Sequence, residues 1–227
     1  MKAEYPKFSI FILYYNQPEA LTRQLEAIKD YKERIRISII DDGSRQYPIE
    51  DLLNIIPTDV RVYKILNDKK WNIPGARNLS VKLSESDWLI QLDIDQILTN
   101  EQIIKLLNIR LTKDCYYLFN RSFGSYTKPT TGTMLINRKY FIAAGGYDES
   151  FAGYYGYNDP YLKWKLKLIG IREVLLNDVF VEDHSIECST PLVRNFRLRN
   201  RIKFLFRRLL RIMGTGRQLR FDWIRIQ

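Results

Sequence analysis

The chain is short of cysteine, has a single histidine and lacks any long apolar run, and the scarcities narrow what it can be. Cys115 and Cys188 are the two cysteines among 227 residues. They make neither a disulfide framework nor a metal-binding spacing, and a reducing cytosol is the simplest compartment for them. No uninterrupted apolar stretch approaches the roughly 20 residues that cross a bilayer. The opening MKAEYPKFSIF has one lysine followed by an acid and no extended apolar core, so no secretory signal is expected. Internal repeats and low-complexity tracts are also missing. What remains is ordinary for a globular protein: 45% hydrophobic and 27% charged residues supply the core that a disordered chain would lack.

Charge is unevenly placed. Residues 192–227 carry eleven basic residues and one acid, Asp222, so this segment accounts for the whole formal charge of +10 and residues 1–191 are neutral. The expected organisation is a body, 1–191, and a basic amphipathic extension, 192–227.

Within the body, short β-branched and aromatic runs alternate with helical spacing. KFSIFIL (7–13), IRISII (35–40), VRVYKIL (60–66) and DWLIQL (87–92) read as buried strands. Helices are expected over 18–30, 48–56, 75–85 and 100–109. This β-α-β-α order predicts an α/β protein with a mostly parallel central sheet flanked by helices. Regularity weakens afterwards: strand-like pieces fill 115–136, a short helix 137–144, a helix 158–169 and a strand 172–182.

Ligands of open parallel sheets bind at the carboxyl ends of strands. Asp41-Asp42 follow the second strand there, and Asp93-Ile94-Asp95 follow the fourth. In an extended Asp-x-Asp both side chains project the same way. Such a pair suits a hard divalent cation that keeps positions open for phosphate oxygens, or is simply two solvated acids. Pro74-Gly75 opens a helix whose free N–H groups favour anions. One turn in, Arg77 either meets a phosphate or base, or is a surface arginine. His184 near Asp183 either joins Asp95 at a metal or is structural. The run Gly145-Gly146-Tyr147-Asp148, then Gly153-Tyr154-Tyr155-Gly156-Tyr157-Asn158-Asp159, combines permissive backbone with aromatic faces suited to sugars. Asp159 is either a general base toward a hydroxyl or a helix cap.

Taken in order, FSIFILYYNQPEAL, SIIDDGS, NIPGARNLSV, LIQLDIDQIL, GGYDESFAGYYGYNDPYLKWKL and VEDHS resemble the family-2-type nucleotide-sugar glycosyltransferases of the GT-A fold over residues 7–185. The resemblance implies a Rossmann-like sheet with a nucleotide-binding half at about 1–100 and an acceptor-binding half at about 101–191. By the same resemblance, the backbone near Leu13, with Asp41 and Asp42, surrounds the nucleoside. Arg77 reaches the base or diphosphate, and Asp93 the ribose or metal. Asp95 and His184 hold Mn²⁺ or Mg²⁺, and Asp159 is the catalytic base of an inverting transfer. Gly146, Tyr147, Asp148, Tyr157 and Asn158 are placed on the acceptor side. The implied donor is a UDP-sugar and the implied acceptor a glycan or lipid-linked hydroxyl. One departure stands out: where the family carries Glu-Asp-x-Asp-Leu, this chain has Asn158-Asp159-Pro160-Tyr161-Leu162. Other readings are an impaired sugar-binding relative or a nucleotidyltransferase. The latter is disfavoured by YYNQPEA where a glycine-rich basic loop would stand.

In the extension, Leu198, Ile202, Leu205, Phe206, Leu209 and Met213 repeat at i+3/i+4 spacing amid arginines, and Phe204 and Leu210 fall off that stripe. Residues 194–213 are thus a helix that either packs its stripe on the body or lies on an anionic membrane, at the inner face of which the protein would sit peripherally. Nucleic acid is disfavoured, because the acidic clusters would repel phosphate without a cation.

Overall fold

The computed structural model describes residues 8–29, 35–123, 126–184, 197–212 and 219–227. The first strand, β1 (Phe8–Tyr14), is buried at every position. Its side chains divide by parity: Phe8, Ile10, Ile12 and Tyr14 enter one apolar cluster, and Phe11 and Leu13 the other. A strand buried on both faces demands a layer on each side. The first layer comes from α1 (Pro18–Ala27) and α3 (Asn100–Asn108), through Leu21, Leu25, Ile103 and Leu106. The second comes from α2 (Ile73–Leu83), α4 (Arg138–Ala143) and α5 (Asn158–Leu168), through Leu79, Phe141, Leu162 and Leu166. Each fully buried large aliphatic or aromatic side chain contributes roughly 1.5–3 kcal/mol.

Among the described residues, the remaining strands are β2 (Ile35–Asp41), β3 (Arg61–Ile65), β4 (Trp88–Asp93), β5 (Gln96–Ile97), β6 (Cys115–Phe123), β7 (Tyr126–Asn137), β8 (Arg172–Asp183) and β9 (Trp223–Arg225). They form one sheet in the order β5-β8-β6-β7-β4-β1-β2-β3-β9. The segment β4-β1-β2-β3 is parallel throughout. The chain moves outward from β1 to β3, then returns through α2 to place β4 on the other side of β1. The strand order therefore reverses between β1 and β4, and Leu13 pairs with Asp93 across that switch point.

One expectation changes. The helix expected over 48–56 is a 3-10 turn at Ile49–Leu52. Pro48 and Pro57 bracket a stretch too short for a lasting α-helix. LRFDWIRI, which reads as a short strand or docking segment, does return to the body. β9 pairs antiparallel with β3, Phe221 is buried in the second cluster, and Glu149 accepts from Leu219 N and Arg220 N. Residues 219–227 thus belong to the sheet layer. The expected boundary at 191/192 lies outside the described residues.

The helix of the extension is α6 (Arg197–Leu209); residues 194–196 and Met213 of the expected span lie outside the described residues. Its seat is a third cluster of Phe151, Tyr161 and Phe204. The stripe does not pack on the body. Asn200 and Phe204 are the buried residues, while Leu198, Ile202, Leu205, Phe206 and Leu209 are exposed. No helix among the described residues is long and apolar enough to cross a membrane.

Candidate active site

The parallel strands deliver their carboxyl ends to one rim. Tyr14 O accepts from Asp42 N at 2.9 Å, which draws the ends of β1 and β2 together. The loop after β1 is braced by Asn16, whose side chain accepts from Gln46 N and Tyr47 N. Asp41 is fully buried and accepts from Ser44 N. Asp42 Oδ2 accepts from Asn72 N at 2.7 Å, tying β2 to the start of α2. Burial pushes the Asp42 carboxyl well above the usual carboxylate range. Among the described residues, Asp42 Oδ1, Trp71 Nε1 and both amide atoms of Asn72 are buried without a hydrogen-bond partner. An unmet buried polar group costs about 1–3 kcal/mol, so a polar group or water reaching this corner would stabilise it.

Beside it lies a buried cation. The Arg77 side chain is 2% exposed, whereas those of Asp93 and Asp159 keep 24% and 19%. The guanidinium therefore forms a floor beneath two carboxylates that still reach solvent. Nη2 donates to Asp93 Oδ1 at 2.5 Å; Nη1 donates to Asp159 and, at 2.9 Å, to the Tyr147 hydroxyl. Tyr147 in turn donates to Asp159 Oδ1 at 2.9 Å. Burial opposes the charge on Arg77, but Asp159 and Asp93 together hold its pKa well above the ordinary value. Gln91 caps the Arg77 carbonyl, and Asn78 holds the backbone of Tyr147 from both sides.

The strand next to β4 shapes the space over Arg77. Leu118 of β6 pairs with Met134 of β7, yet Asn120 pairs with Pro129, so residues 130–133 bulge out of the ladder. Thr130 bridges the bulge by accepting from Phe119 N and donating to Thr133 O. Thr133 Oγ1 accepts from Asp93 N, and Gly132 lies against the guanidinium, where a Cβ would overlap Arg77 Nη2 and the Asp93 carboxylate. Bulges often re-aim groups beside active sites. Gly132, Thr133 and Trp71 escaped the sequence reading, whereas Asn72 heads the NIPGARNLSV motif; a glycine inside the strand-like TGTMLIN was the available signal for the bulge.

Asp95 and His184 meet through backbone pairing. β5 pairs antiparallel with the end of β8, and His184 N donates to Asp95 O at 2.8 Å. Burial, then the negative charges of Asp93 and Asp183, push the Asp95 carboxyl up to about 7. The His184 ring lies between Arg23, 3.3 Å from Nδ1, and Glu182, 3.7 Å from Nε2. Among the described residues no three His, Cys, Asp or Glu side chains converge on one point. Carboxylate and imidazole are donor types that a divalent cation accepts, but Asp93 is engaged by Arg77 and Asp183 by Arg121 at 3.1 Å.

The residues expected at the acceptor have mixed placements. Tyr147 is buried in the Arg77 cluster. Asp148 is buried too, accepting from Ser150 N and pairing with Arg207 at 3.0 Å. Gly146 takes a left-handed conformation, φ +59°, and its carbonyl accepts from Lys165. These three brace the site rather than face solvent. Asn158 is buried beside Asp159, and Tyr157 caps α5 in the left-handed region with its ring against Phe204. The loop between them rests on the residue that precedes Asn72: Gly153 N donates to Trp71 O, and the rings of Tyr155 and Trp71 meet edge-on at 5.3 Å.

A helix-covered sheet with acids gathered where its strand order reverses is the architecture of the GT-A enzymes. Residues 9–163 match the model of glycosyl transferase family 2, and the chain belongs to that family. A Haemophilus influenzae protein described as an uncharacterized glycosyltransferase is 31% identical over 107 residues, 47% of this chain. The chain matches only 43% of that relative's length. Solved structures agree on the fold. GalNAc-T7 with UDP, GalNAc and Mn²⁺ superposes with a TM-score of 0.65 at 13% identity, covering 90% of this chain and 48% of that one. Pyrobaculum calidifontis mannosyltransferase PcManGT, in complex with GDP-Man and Mn²⁺, gives 0.64 at 12% identity, covering 95% and 66%. Residues 1–349 of S. aureus TarS give 0.61 at 16% identity, covering 80% and 61%.

Proposed function

We propose that the chain transfers a sugar from a nucleoside-diphosphate donor, UDP-linked, to a hydroxyl of a glycan or lipid-linked acceptor, with inversion at the anomeric carbon. The observation that carries this reading is the Asp93–Arg77–Asp159 cluster beside the unsatisfied corner of Asp42, Trp71 and Asn72. On this reading the buried polar corner serves the nucleoside and Asp159 serves the acceptor hydroxyl.

Each residue then has a task. The Leu13 backbone and the carboxylates of Asp41 and Asp42 enclose the nucleoside, and the unpaired atoms at Asp42 and Asn72 are satisfied on binding. Arg77 supplies fixed positive charge beneath the departing diphosphate. Asp95 and His184, with Asp93 beside them, would hold Mn²⁺ or Mg²⁺, which when bound supplies a Lewis acid to the leaving group. Asp159 takes the proton from the incoming hydroxyl. Its carboxylate is oriented for this by Arg77 and Tyr147. A positioned base is worth about 10²–10⁴ in rate.

The test is calorimetry with UDP and GDP, with and without Mn²⁺, followed by turnover of the matching nucleotide-sugars. Asp159→Asn is expected to bind UDP like the parent and to lose about 10²–10⁴ in turnover. Unchanged turnover would remove Asp159 from the base role. Equal indifference to both nucleotides would remove the donor assignment.

A further inference from the structure

The helix α6 has two unlike faces. Inward, Asn200 Nδ2 donates to the carbonyls of Phe151, Tyr154 and Gly156, lacing the helix to the loop that precedes Asp159. Phe204 packs on Tyr157 and Tyr161, Arg207 pairs with Asp148, and Lys203 donates to Ser150. Tyr161 donates its hydroxyl to Ile212 O just past the helix. Thus Tyr161, one of the two residues that depart from the family's acidic pattern, is part of the seat of α6. Outward, Leu198, Ile202, Leu205, Phe206 and Leu209 are 65%, 60%, 52%, 57% and 80% exposed. They lie opposite Asn200 and Phe204 at about 100° per residue.

From this arrangement we infer that the outward face of α6 docks on an anionic lipid bilayer and so holds the acceptor loop at the membrane surface. Charge selects the occupant. α6 contains no acid, and Arg199, Arg201 and Arg208 are exposed along it. A second copy packed symmetrically on this face would set arginines against arginines. A nucleic acid would give the five apolar side chains no role. A bilayer with anionic headgroups accepts both the apolar stripe and its basic margins. The acceptor class this favours within the proposed function is a hydroxyl carried on a lipid. That last step rests on the glycosyl-transfer reading, whereas the docking itself does not.

The experiment is flotation of the whole chain with vesicles of phosphatidylcholine alone and of phosphatidylcholine with phosphatidylglycerol. Calorimetry with UDP and Mn²⁺ on the same preparations reads the donor site separately. The parent is expected to float with the anionic vesicles and to release at high salt. The triple variant Leu198→Gln, Leu205→Gln, Leu209→Gln is expected to bind them at least tenfold more weakly, with unchanged melting temperature and UDP affinity. Arg201→Gln with Arg208→Gln is expected to weaken binding about tenfold or more, at about fivefold per charge near the surface. Three results would overturn the inference. The parent could ignore anionic vesicles, or the triple variant could bind like the parent. The stripe could instead mediate a dimer or RNA binding that the triple variant abolishes. Loss of UDP binding with intact flotation would sink the donor reading alone.

Discussion

Arg77 and Asp159 are separated by 82 residues in sequence and hydrogen-bonded in the structure. The same guanidinium also holds Asp93, so one buried cation serves the acid that ends β4 and the acid in the first turn of α5. Removing it leaves these carboxylates to repel each other. Arg77→Met is expected to destabilise the fold by about 3–5 kcal/mol, as when one partner of a buried ion pair is lost. In Arg77→Met/Asp159→Asn the loss should be smaller than the two single losses combined, by about 0.5–3 kcal/mol. Urea unfolding of the four proteins closes this cycle, and strict additivity would mean the contact carries no coupling.

Gly132 predicts a steric effect. Its Cβ would overlap Arg77 Nη2 and the Asp93 carboxylate, both already committed to each other. Gly132→Ala is expected to cost about 1–3 kcal/mol and to weaken UDP binding. Gly170 offers the contrast: its φ of +82° strains any side chain, but nothing lies within 4 Å of the added carbon. Gly170→Ala should lower stability and leave UDP affinity alone. Calorimetry on both variants distinguishes local crowding at the site from general destabilisation.

Much of this arrangement was readable from the residues, and the limits have physical causes. β1, β2 and β4 announced themselves through short, dense runs of β-branched, aliphatic and aromatic residues. Their acids then fall on one rim by parallel topology alone. The Arg77–Asp159 contact was not readable, since it depends on how α5 packs beside α2. The α6 stripe shows a different limit. Periodicity identified an apolar face but not the direction it points. The body offers α6 backbone carbonyls and aromatic rings, so it accepts Asn200 and Phe204 and leaves the aliphatic stripe outside. Tyr147 and Asp148 likewise sit in a glycine-rich aromatic loop that suggested a surface, yet Arg77 and Arg207 draw both inward.

Lys165 predicts a pH dependence. Its side chain is buried, donates to the Gly146 carbonyl and has its pKa lowered by burial to about 8, whereas an unfolded lysine titrates near 10.4. Between those values the unfolded chain binds more protons than the folded one, so this group makes stability rise with pH across that window. Below about pH 8 both states are protonated and the contribution is flat, with its unfavourable burial fully present. Lys165→Met removes the titration. The difference in unfolding free energy between parent and variant should shift toward the parent from pH 8 to pH 9.5. A difference independent of pH would show that Lys165 keeps an ordinary pKa.

Asp42 joins function to instability. Its Oδ1 is buried without a partner among the described residues, and its burial, followed by the nearby charges of Asp41 and Asp68, works against the ionised form. A carboxyl whose folded pKa is raised stabilises the fold least at pH values above that pKa, so the free protein carries this burden at high pH. Asp42→Asn keeps an acceptor for Asn72 N and abolishes the buried charge. At pH 8 the variant is expected to be more stable than the parent by about 1–3 kcal/mol. As the pH falls and the parent's carboxyl takes up its proton, that advantage should shrink. If the unpaired oxygen exists to receive a nucleoside, the same substitution should weaken UDP binding by about tenfold or more, at roughly 1.5–3 kcal/mol for a hydrogen bond to a charged group. Urea unfolding at two pH values and calorimetry with UDP measure the two halves independently. A variant that binds UDP as well as the parent would mean the buried charge serves no ligand, and a variant that loses stability would mean Asp42 holds β2 to α2 more strongly than its burial opposes it.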